Sequence, residues 1–565
     1  MKEEKNQPNG ISRRKFIQGA AIGTVGIASA GFLAGCSSEG ANQDASEPKT
    51  EQTANWTTPP EPIPESEIKN TIETDIVVVG AGSGGMVAAL SAAEAGAKTV
   101  LLEKGSKSYA GPMWMAAIDS KLQKSMGVNI DKHEAVAEIC RYGGHLADQK
   151  LVKLWADKSG EAMDWLTDIV ESAGLKMMVE TDLKVGYYKS YAVGHVVVPD
   201  PTPEIAHLGE YGSPLYIPVL TEKAKQLGID IKYDTPAVQL IQEAGKVIGV
   251  IAGSPDSYTR YNVSKGVILA TGGYGRNEEM LNDLCPTAQY CGSSIVPAVA
   301  SGDGIKMAVW AGGALDPLHG VMVFDRGVMH KDTGTLGAPW SGGYLRTGSQ
   351  PFLRVNVRGN RFVNEDLPYD YLWDASIMEP ENVSWQIWDS NWKEDITRFH
   401  TTICSRVVPH PQAPPRDGLD YVEQEHASFI DKGLILKADT IEQLAEQMGV
   451  PVNNFKATID RYNVLAKQGN DEDFGKIDFR LSTIEKGPFF AAKLSGTLLC
   501  NINGLRIDTN MQVLDENHNP ITGLYAVGND SGSFFSYNYP QMFGGLALGR
   551  TITFGRVAGI SVANA

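Results

Sequence analysis

Cysteine is scarce and badly spaced for metal chemistry. There are six in 565 residues, and none stands in CxxC or CxxCH spacing, so covalent haem, iron–sulfur clusters and a structural zinc site all lack ligands. No metal site is expected. Cys285 and Cys291 are near enough in sequence to pair in an exported protein, although the odd count left after Cys36 keeps at least one thiol free. Positive charge is short as well. With 50 basic against 67 acidic residues and a net charge of -17, there is no broad basic face for phosphates, which excludes nucleic acid as a partner. Long unbroken apolar runs are also missing. The stretch from Phe16 to Gly35 is interrupted by Gly19, Gly23, Gly26 and Gly31, which argues against a membrane helix of about 20 residues. What the chain has in excess is glycine: 60 residues, against an ordinary share of ~7%. Its 42% hydrophobic content is that of a globular protein, and at about 100 to 200 residues per domain the length allows roughly two to four domains.

Ser12 to Phe16 (SRRKF) precedes the weakly apolar stretch and resembles the twin-arginine export signal, which carries proteins already folded. Leu33, Ala34, Gly35 and Cys36 resemble a lipobox, whose cysteine is left diacylated. Residues 1–36 therefore read as a twin-arginine lipoprotein signal, placing the protein at the outer face of the cell membrane through a lipid on Cys36. Residues 37–70 are polar and dotted with Pro48, Pro59, Pro60, Pro62 and Pro64, and read as a disordered linker. The folded part is expected to begin near Thr71.

Asp75 to Val79 is a short β-branched run. Gly80, Ala81, Gly82, Ser83, Gly84 and Gly85 then make a tight turn, Met86 to Ala95 reads as a small-residue helix, and a second apolar strand from Thr99 to Leu102 ends on Glu103. This is GxGxxG in the strand–helix–strand setting that gives the motif its meaning. Gly80 permits the turn, Gly82 lets backbone approach a pyrophosphate, and Gly85 allows close helix packing. The helix start offers aligned N–H groups to the phosphates, and Glu103 offers acceptors to a ribose diol.

Three further glycine segments follow: Gly266 to Arg276 (GVILATGGYGR), Ser301 to Gly304 (SGDG) and Gly523 to Asn529 (GLYAVGN). With the GxGxxG, Glu103 and Gly359 to Glu365 (GNRFVNE), they resemble the fumarate reductase and succinate dehydrogenase type flavoproteins, which also include urocanate reductases and 3-ketosteroid dehydrogenases. The resemblance spans nearly all of residues 71–565. It implies an α/β fold: a Rossmann-like FAD-binding domain, a parallel sheet with helices, over 71–315 and 501–565, with an inserted α+β capping domain over 316–500. Carried onto this chain, it assigns the FAD contacts to Gly80, Ala81, Gly82, Ser83, Gly84, Gly85, Glu103, Lys104 and Gly111. Ala270, Thr271, Gly272 and Gly273 fall near the adenosine half and Asp303 near the pyrophosphate side. Gly528 and Asn529 fall near the ribityl chain, where the family's usual residue is Glu rather than Asn. Gly545, Leu546, Ala547 and Leu548 lie against the ring. No histidine between Ser106 and Asp119 offers covalent attachment, so the FAD is expected to be noncovalent.

The resemblance also shows what the substrate site lacks. The positions of the family's dicarboxylate-binding and proton-donating cations fall here on Tyr369, Cys500 and Met542 or a neighbour, none of which is basic. Burying two carboxylates without cations costs several kcal/mol per ion, which disfavours fumarate. Tyr369 and the Tyr539–Pro540 pair instead resemble the paired tyrosines of 3-ketosteroid dehydrogenases. That likeness implies Tyr369 as proton donor or acceptor, with Tyr539 and the Gly544 N–H as oxyanion donors, in hydride transfer to a C=C conjugated to a carbonyl. The two tyrosines can exchange roles, and Tyr537 stands close enough to replace Tyr539. Glu365 reads either as a relay to Tyr369 or as a salt-bridge partner of Arg361. Tyr187, Tyr188, Tyr191, Trp340, Tyr344 and Phe352 are candidate walls of a large apolar pocket. The expected activity is that of an ene-reductase or, run backwards, a dehydrogenase, on an apolar enone, with a 3-oxo-Δ4 steroid or bile-acid-like compound as best guess. Electrons are expected from an external donor, a cytochrome or quinol-linked membrane protein. An arylacrylate such as urocanate or cinnamate is the alternative, with Arg346, Arg354 or His319 as its cation. A third reading is an electron-transfer flavoprotein without a substrate of its own.

Overall fold

A computed structural model describes residues 55–109, 111, 114–199, 213–334, 343–399, 419–536 and 538–565. The signal segment, Cys36, Trp340, Cys404 and Tyr537 lie outside the described residues. Four β-branched or leucine-rich segments, apolar on both faces, form the parallel centre of an eight-stranded sheet. In spatial order these are Pro520–Ala526, Tyr258–Leu269, Ile68–Val79 and Thr99–Leu102, with Asp230–Lys232 continuing the parallel run at one edge. The register matters for function. Val79 pairs with both Leu102 and Leu269, and Leu269 pairs with Ala526. Four strands thus end in line, and the turns that leave them, at Gly80, Glu103, Ala270 and Val527, open along one edge, where ligands of open α/β sheets bind.

Two helices pack together against the strands of this sheet. Ser83–Glu94 follows the first glycine turn at once, and Leu546–Ala563 closes the chain against it. The turn is enforced sterically. Gly80 has φ +103°, and a Cβ on Gly85 would stand 1.8 Å from the Gly80 carbonyl oxygen, so strand and helix meet at a distance only glycine allows.

A second, seven-stranded sheet is built around the long strand Phe489–Asn501, which pairs antiparallel with Val321–Met329, Ser384–Trp388 and Ile435–Ala438. Cys291–Ser294 also joins it, in parallel, from within the segment that the sequence assigned to the first domain. The interior is continuous between the sheets: Phe324, Tyr369 and Trp373 belong to the same apolar cluster as Val77 and Leu269. Cys285 and Cys291 are both buried free thiols, so the suggested disulfide is not formed.

The linker reading of residues 37–70 needs correction over its second half. Trp56 is 6% exposed. Its amide donates to Glu279 Oε1 (3.2 Å), its indole Nε1 donates to Asp283 Oδ2 (3.0 Å), and its carbonyl accepts from Trp310 Nε1 (3.0 Å). The first strand then begins at Ile68, before Thr71. Proline content and polarity hid a single large anchor that no periodicity signals. Trp56→Ala is expected to lower stability by about 3 kcal/mol, read as a lower denaturant midpoint at unchanged m-value.

Candidate active site

The aligned strand ends open into a cavity of about 620 Å³, within the range of small-molecule and cofactor sites. Gly80, Gly82, Ser83 and Gly84 line it from the first turn, Glu103 and Lys104 from the second, and Ala270, Thr271 and Gly272 from the third. Gly111, Asp303, Gly528, Asn529, Gly545, Ala547 and Leu548 line it as well. The remaining sequence-predicted residues, Ala81, Gly85, Gly273, Leu546, Tyr369 and Gly544, stand behind this lining. Of the paired glycines at the start of the last helix, it is Gly545 that faces the cavity.

Steric space separates two kinds of glycine. Gly80 and Gly85 face protein backbone, whereas a Cβ on Gly82 would meet no protein atom within 4 Å, and one on Gly111 or Gly272 would meet only a single side-chain atom near 4 Å. Gly82, Gly111 and Gly272 therefore leave bare backbone beside the cavity, a cradle for a group that must lie close to the main chain. Glu103, 6% exposed, accepts the N–H groups of Ala81 and Gly105, each at 2.8 Å. A carboxylate has about four lone-pair sites, so capacity remains for a diol. Lys104 donates to Ser301 Oγ (2.6 Å) and Asp303 Oδ2 (2.7 Å). Burial alone would raise the Asp303 carboxyl, but its bonds to Lys104 and Lys306 outweigh it and hold the pKa below the ordinary range. These residues fit a dinucleotide cofactor.

Two buried charges beside the cavity went unnoticed in the sequence. The Asp530 carboxylate accepts from the Thr271 hydroxyl and the Gly273 amide, tying the third turn to the fourth, and burial lifts its pKa to about 6. Arg550, 1% exposed, donates to the carbonyls of Ser531 (3.2 Å) and Gly528 (2.7 Å) and lies over Phe534, Phe535 and Phe554. Burial brings its pKa down to about 10, and its charge acts on Cys500 and Tyr539. An arginine inside the small-residue run from Leu546 to Gly555 was the available signal.

The far end of the cavity is apolar and aromatic, with Met322, Phe324, Tyr344, Leu499, Cys500 and Tyr539 in its wall. Tyr539 and Tyr369 lie near-parallel, 16° apart with ring centroids 6.3 Å apart, and Phe324 meets Tyr369 edge-on at 4.7 Å. The Tyr539 hydroxyl accepts the Ala547 N–H (3.4 Å) from the first turn of the last helix. A hydroxyl that accepts an N–H in this way is polarised into a better donor.

Of the six aromatics suggested as pocket walls, the five that lie among the described residues do not come together. Tyr344 lines the cavity, but Tyr191 stacks on Phe543, Tyr188 lies edge-on to Tyr142, and Phe352 packs beside Trp388 in a separate core. Tyr187 is 73% exposed. Glu365 is held by Arg361 (2.8 Å) and Lys476 (3.3 Å), and Arg361 also pairs with Asp471 (2.7 Å); the salt-bridge alternative is the observed one. Of the three candidate cations, Arg346 lines the cavity. Arg354 is buried on Asp325 (2.8 Å), and His319 lies against Asn503 (2.6 Å).

A protein-family model described as FAD binding domain matches residues 75–542. Over 498 residues the chain is 30% identical to a vinyl phenol reductase of Lactiplantibacillus plantarum, covering 86% of this chain and 95% of that protein. It is 26% identical over 586 residues to a 3-oxosteroid 1-dehydrogenase of Mycolicibacterium smegmatis, covering 87% and 97%. Among solved structures, the open conformation of a flavocytochrome c3 fumarate reductase matches with a TM-score of 0.64 at 27% identity, covering 88% of this chain and 79% of that one.

Proposed function

The chain belongs to the FAD binding domain family, and from that premise we propose that it is an FAD-dependent oxidoreductase reducing a C=C conjugated to a carbonyl, with a flat apolar enone of the 3-oxo-Δ4 steroid or bile-acid type as substrate. The observation that carries this reading is Tyr539 in the apolar wall of the cavity, with Tyr369 stacked near-parallel behind it. Bound FAD, held noncovalently by the glycine turns, Glu103 and Lys104, supplies the hydride. The chain's own residues do the rest. Tyr539 donates a hydrogen bond to the substrate carbonyl oxygen, where negative charge develops, assisted by the main-chain N–H of Gly545, the glycine of the pair that faces the cavity. Tyr369 delivers the proton to the α-carbon. A phenol of ordinary pKa about 10 is a weak acid, yet an enolate is basic enough to take its proton. Met322, Phe324 and Leu499 exclude water from this end, and segment 316–500 acts as a cap over the substrate. Export by the twin-arginine signal, lipidation at Cys36 and an external cytochrome or quinol-linked donor complete the proposal.

A second reading is favoured by one observation. Arg346 is, with Lys104, a basic residue among the described lining residues, and Lys104 is engaged by Asp303. Arg346 sits on Glu425 (3.4 Å) and Tyr421, and an arylacrylate carboxylate at the same guanidinium would be recognised by charge. Holoenzyme reduced anaerobically by a viologen dye separates the two when offered a 3-oxo-Δ4 steroid, a vinyl phenol, cinnamate and urocanate. Dye oxidation by the enone with kcat/KM at least tenfold above the acrylates is the expected result. Oxidation by acrylates alone, abolished by Arg346→Met, would establish the second reading instead.

A further inference from the structure

The elements that carry the two tyrosines are tied to each other at the tyrosines' own main-chain amides. Tyr369 opens the helix Tyr369–Ile377, and its N–H donates to Gln541 Oε1 at 3.0 Å. Tyr539 lies on the loop ahead of the last helix, and its N–H donates to Asp370 Oδ2 at 3.2 Å. Each amide is thus held by a side chain from the other segment: Asp370 is the residue after Tyr369, and Gln541 is two residues after Tyr539. The second carboxylate oxygen of Asp370 accepts the Tyr142 hydroxyl at 2.8 Å. Tyr142 is itself fixed by stacking on Tyr371 at 4.8 Å, and its carbonyl accepts the Tyr371 hydroxyl at 3.2 Å.

We propose that Asp370 and Gln541 form a reciprocal clamp that sets the spacing and near-parallel stacking of Tyr369 and Tyr539, with Tyr142 holding Asp370, so that all three are positioning residues of the reaction. The inference rests on the reading that the two tyrosines act on the substrate. Three features support it. Both clamp bonds end on the amides of the two proposed catalytic residues, where a shift moves a ring directly. Asp370 is a fully buried carboxyl, and its hydrogen bonds come from Tyr142 and from the Tyr371 and Tyr539 amides rather than from a cation; burial lifts its pKa to about 7 against those bonds. A carboxyl in that condition is costly to the fold, and an apolar residue would pack there at lower cost. Displacement of reacting groups by about 1 Å costs on the order of 10²-fold in rate, which is the scale of benefit such a clamp can supply.

The chemistry of the carboxyl predicts which substitution rescues. An amide at this position can accept the Tyr539 N–H through its oxygen and donate its NH₂ to the Tyr142 hydroxyl oxygen, preserving both bonds without charge. Asp370→Ala is therefore expected to lower kcat about 10²-fold with KM within threefold, while Asp370→Asn recovers to within about fivefold of the parent. Gln541→Met and Tyr142→Phe are each expected to lose about tenfold in kcat. These milder variants keep the test open where the alanine variant fails to fold. Flavin absorbance and melting temperature of each holoenzyme check integrity. Hydrogen exchange in the peptide covering 538–543 is expected to quicken in Asp370→Ala and to return towards the parent rate in Asp370→Asn. In a Tyr539→Phe background, Asp370→Ala should cost less than a further threefold, because the group it positions is gone. The clamp is refuted by folded Asp370→Ala with kcat within threefold of the parent, by a loss undiminished in the Tyr539→Phe background, or by failure of asparagine to rescue. Should Tyr369→Phe and Tyr539→Phe themselves leave kcat unchanged, the tyrosine reading falls and takes the clamp with it; the tyrosine variants alone identify that case.

Discussion

Tyr539→Phe is expected to lower kcat by 10²- to 10³-fold, about 3 to 4 kcal/mol in the transition state, while the protein keeps its FAD and its melting temperature. The substitution removes one oxygen and leaves the ring. The packing of that ring against Phe535 (5.5 Å) and Tyr369 (6.3 Å) survives, so a loss of rate reports the hydroxyl and not the wall. The Ala547 N–H loses its acceptor, but helix-terminal amides at a cavity are readily satisfied by water. Tyr369→Phe is expected to cost 10²- to 10⁴-fold, the range of a general acid. Its ring contacts with Phe324 and Tyr539 are likewise retained. Single-turnover oxidation of the reduced holoenzyme by an enone measures both steps without interference from the electron donor. A loss below about tenfold, or ~1.4 kcal/mol, in both variants would remove the tyrosine pair from the mechanism.

The second large effect concerns the first glycine turn and takes the form of a contrast. Gly85→Ala places a methyl group 1.8 Å from the Gly80 carbonyl oxygen and 3.2 Å from the Ala270 side chain. Strand and helix must separate, and overpacking of this kind costs about 3 kcal/mol. Lower soluble yield, a melting point depressed by several degrees and loss of flavin absorbance are expected together. Gly82→Ala meets no protein atom within 4 Å, so the apoprotein should melt as the parent does. It should nonetheless fail to retain FAD, because the added methyl occupies the cradle. Equal melting of the two apoproteins would contradict the steric account of Gly85. Full flavin retention by Gly82→Ala would move the pyrophosphate away from this turn.

Much of this architecture was legible in the chain because it is local. The glycine turn, Glu103 and the strand–helix–strand setting are specified by neighbours in sequence, and the later glycine segments repeat the same device. What escaped is made by tertiary contact. Trp56 sits in a polar, proline-bearing stretch, and its role depends on Glu279, Asp283 and Trp310, none of which the local pattern announces. Asp530 stands beside a predicted site residue, but its bonds reach back to Thr271 and Gly273. Arg550 looks like an exposed helical cation until its carbonyl partners and three phenylalanines are seen. The aromatic wall failed for the opposite reason: hydrophobic side chains abundant near a site are most often core, as Phe352 and Tyr191 prove to be.

The apolar cluster that runs unbroken from Val77 and Leu269 to Phe324, Tyr369 and Trp373 has a thermodynamic corollary. Residues joined through one interior share one cooperative unit, and prying the seven-stranded sheet from the parallel sheet would wet apolar surface at roughly 25 cal/mol per Å². Calorimetry should accordingly record a single endotherm for the two sheets together. A mutation that loosens either one will lower the temperature at which both are lost.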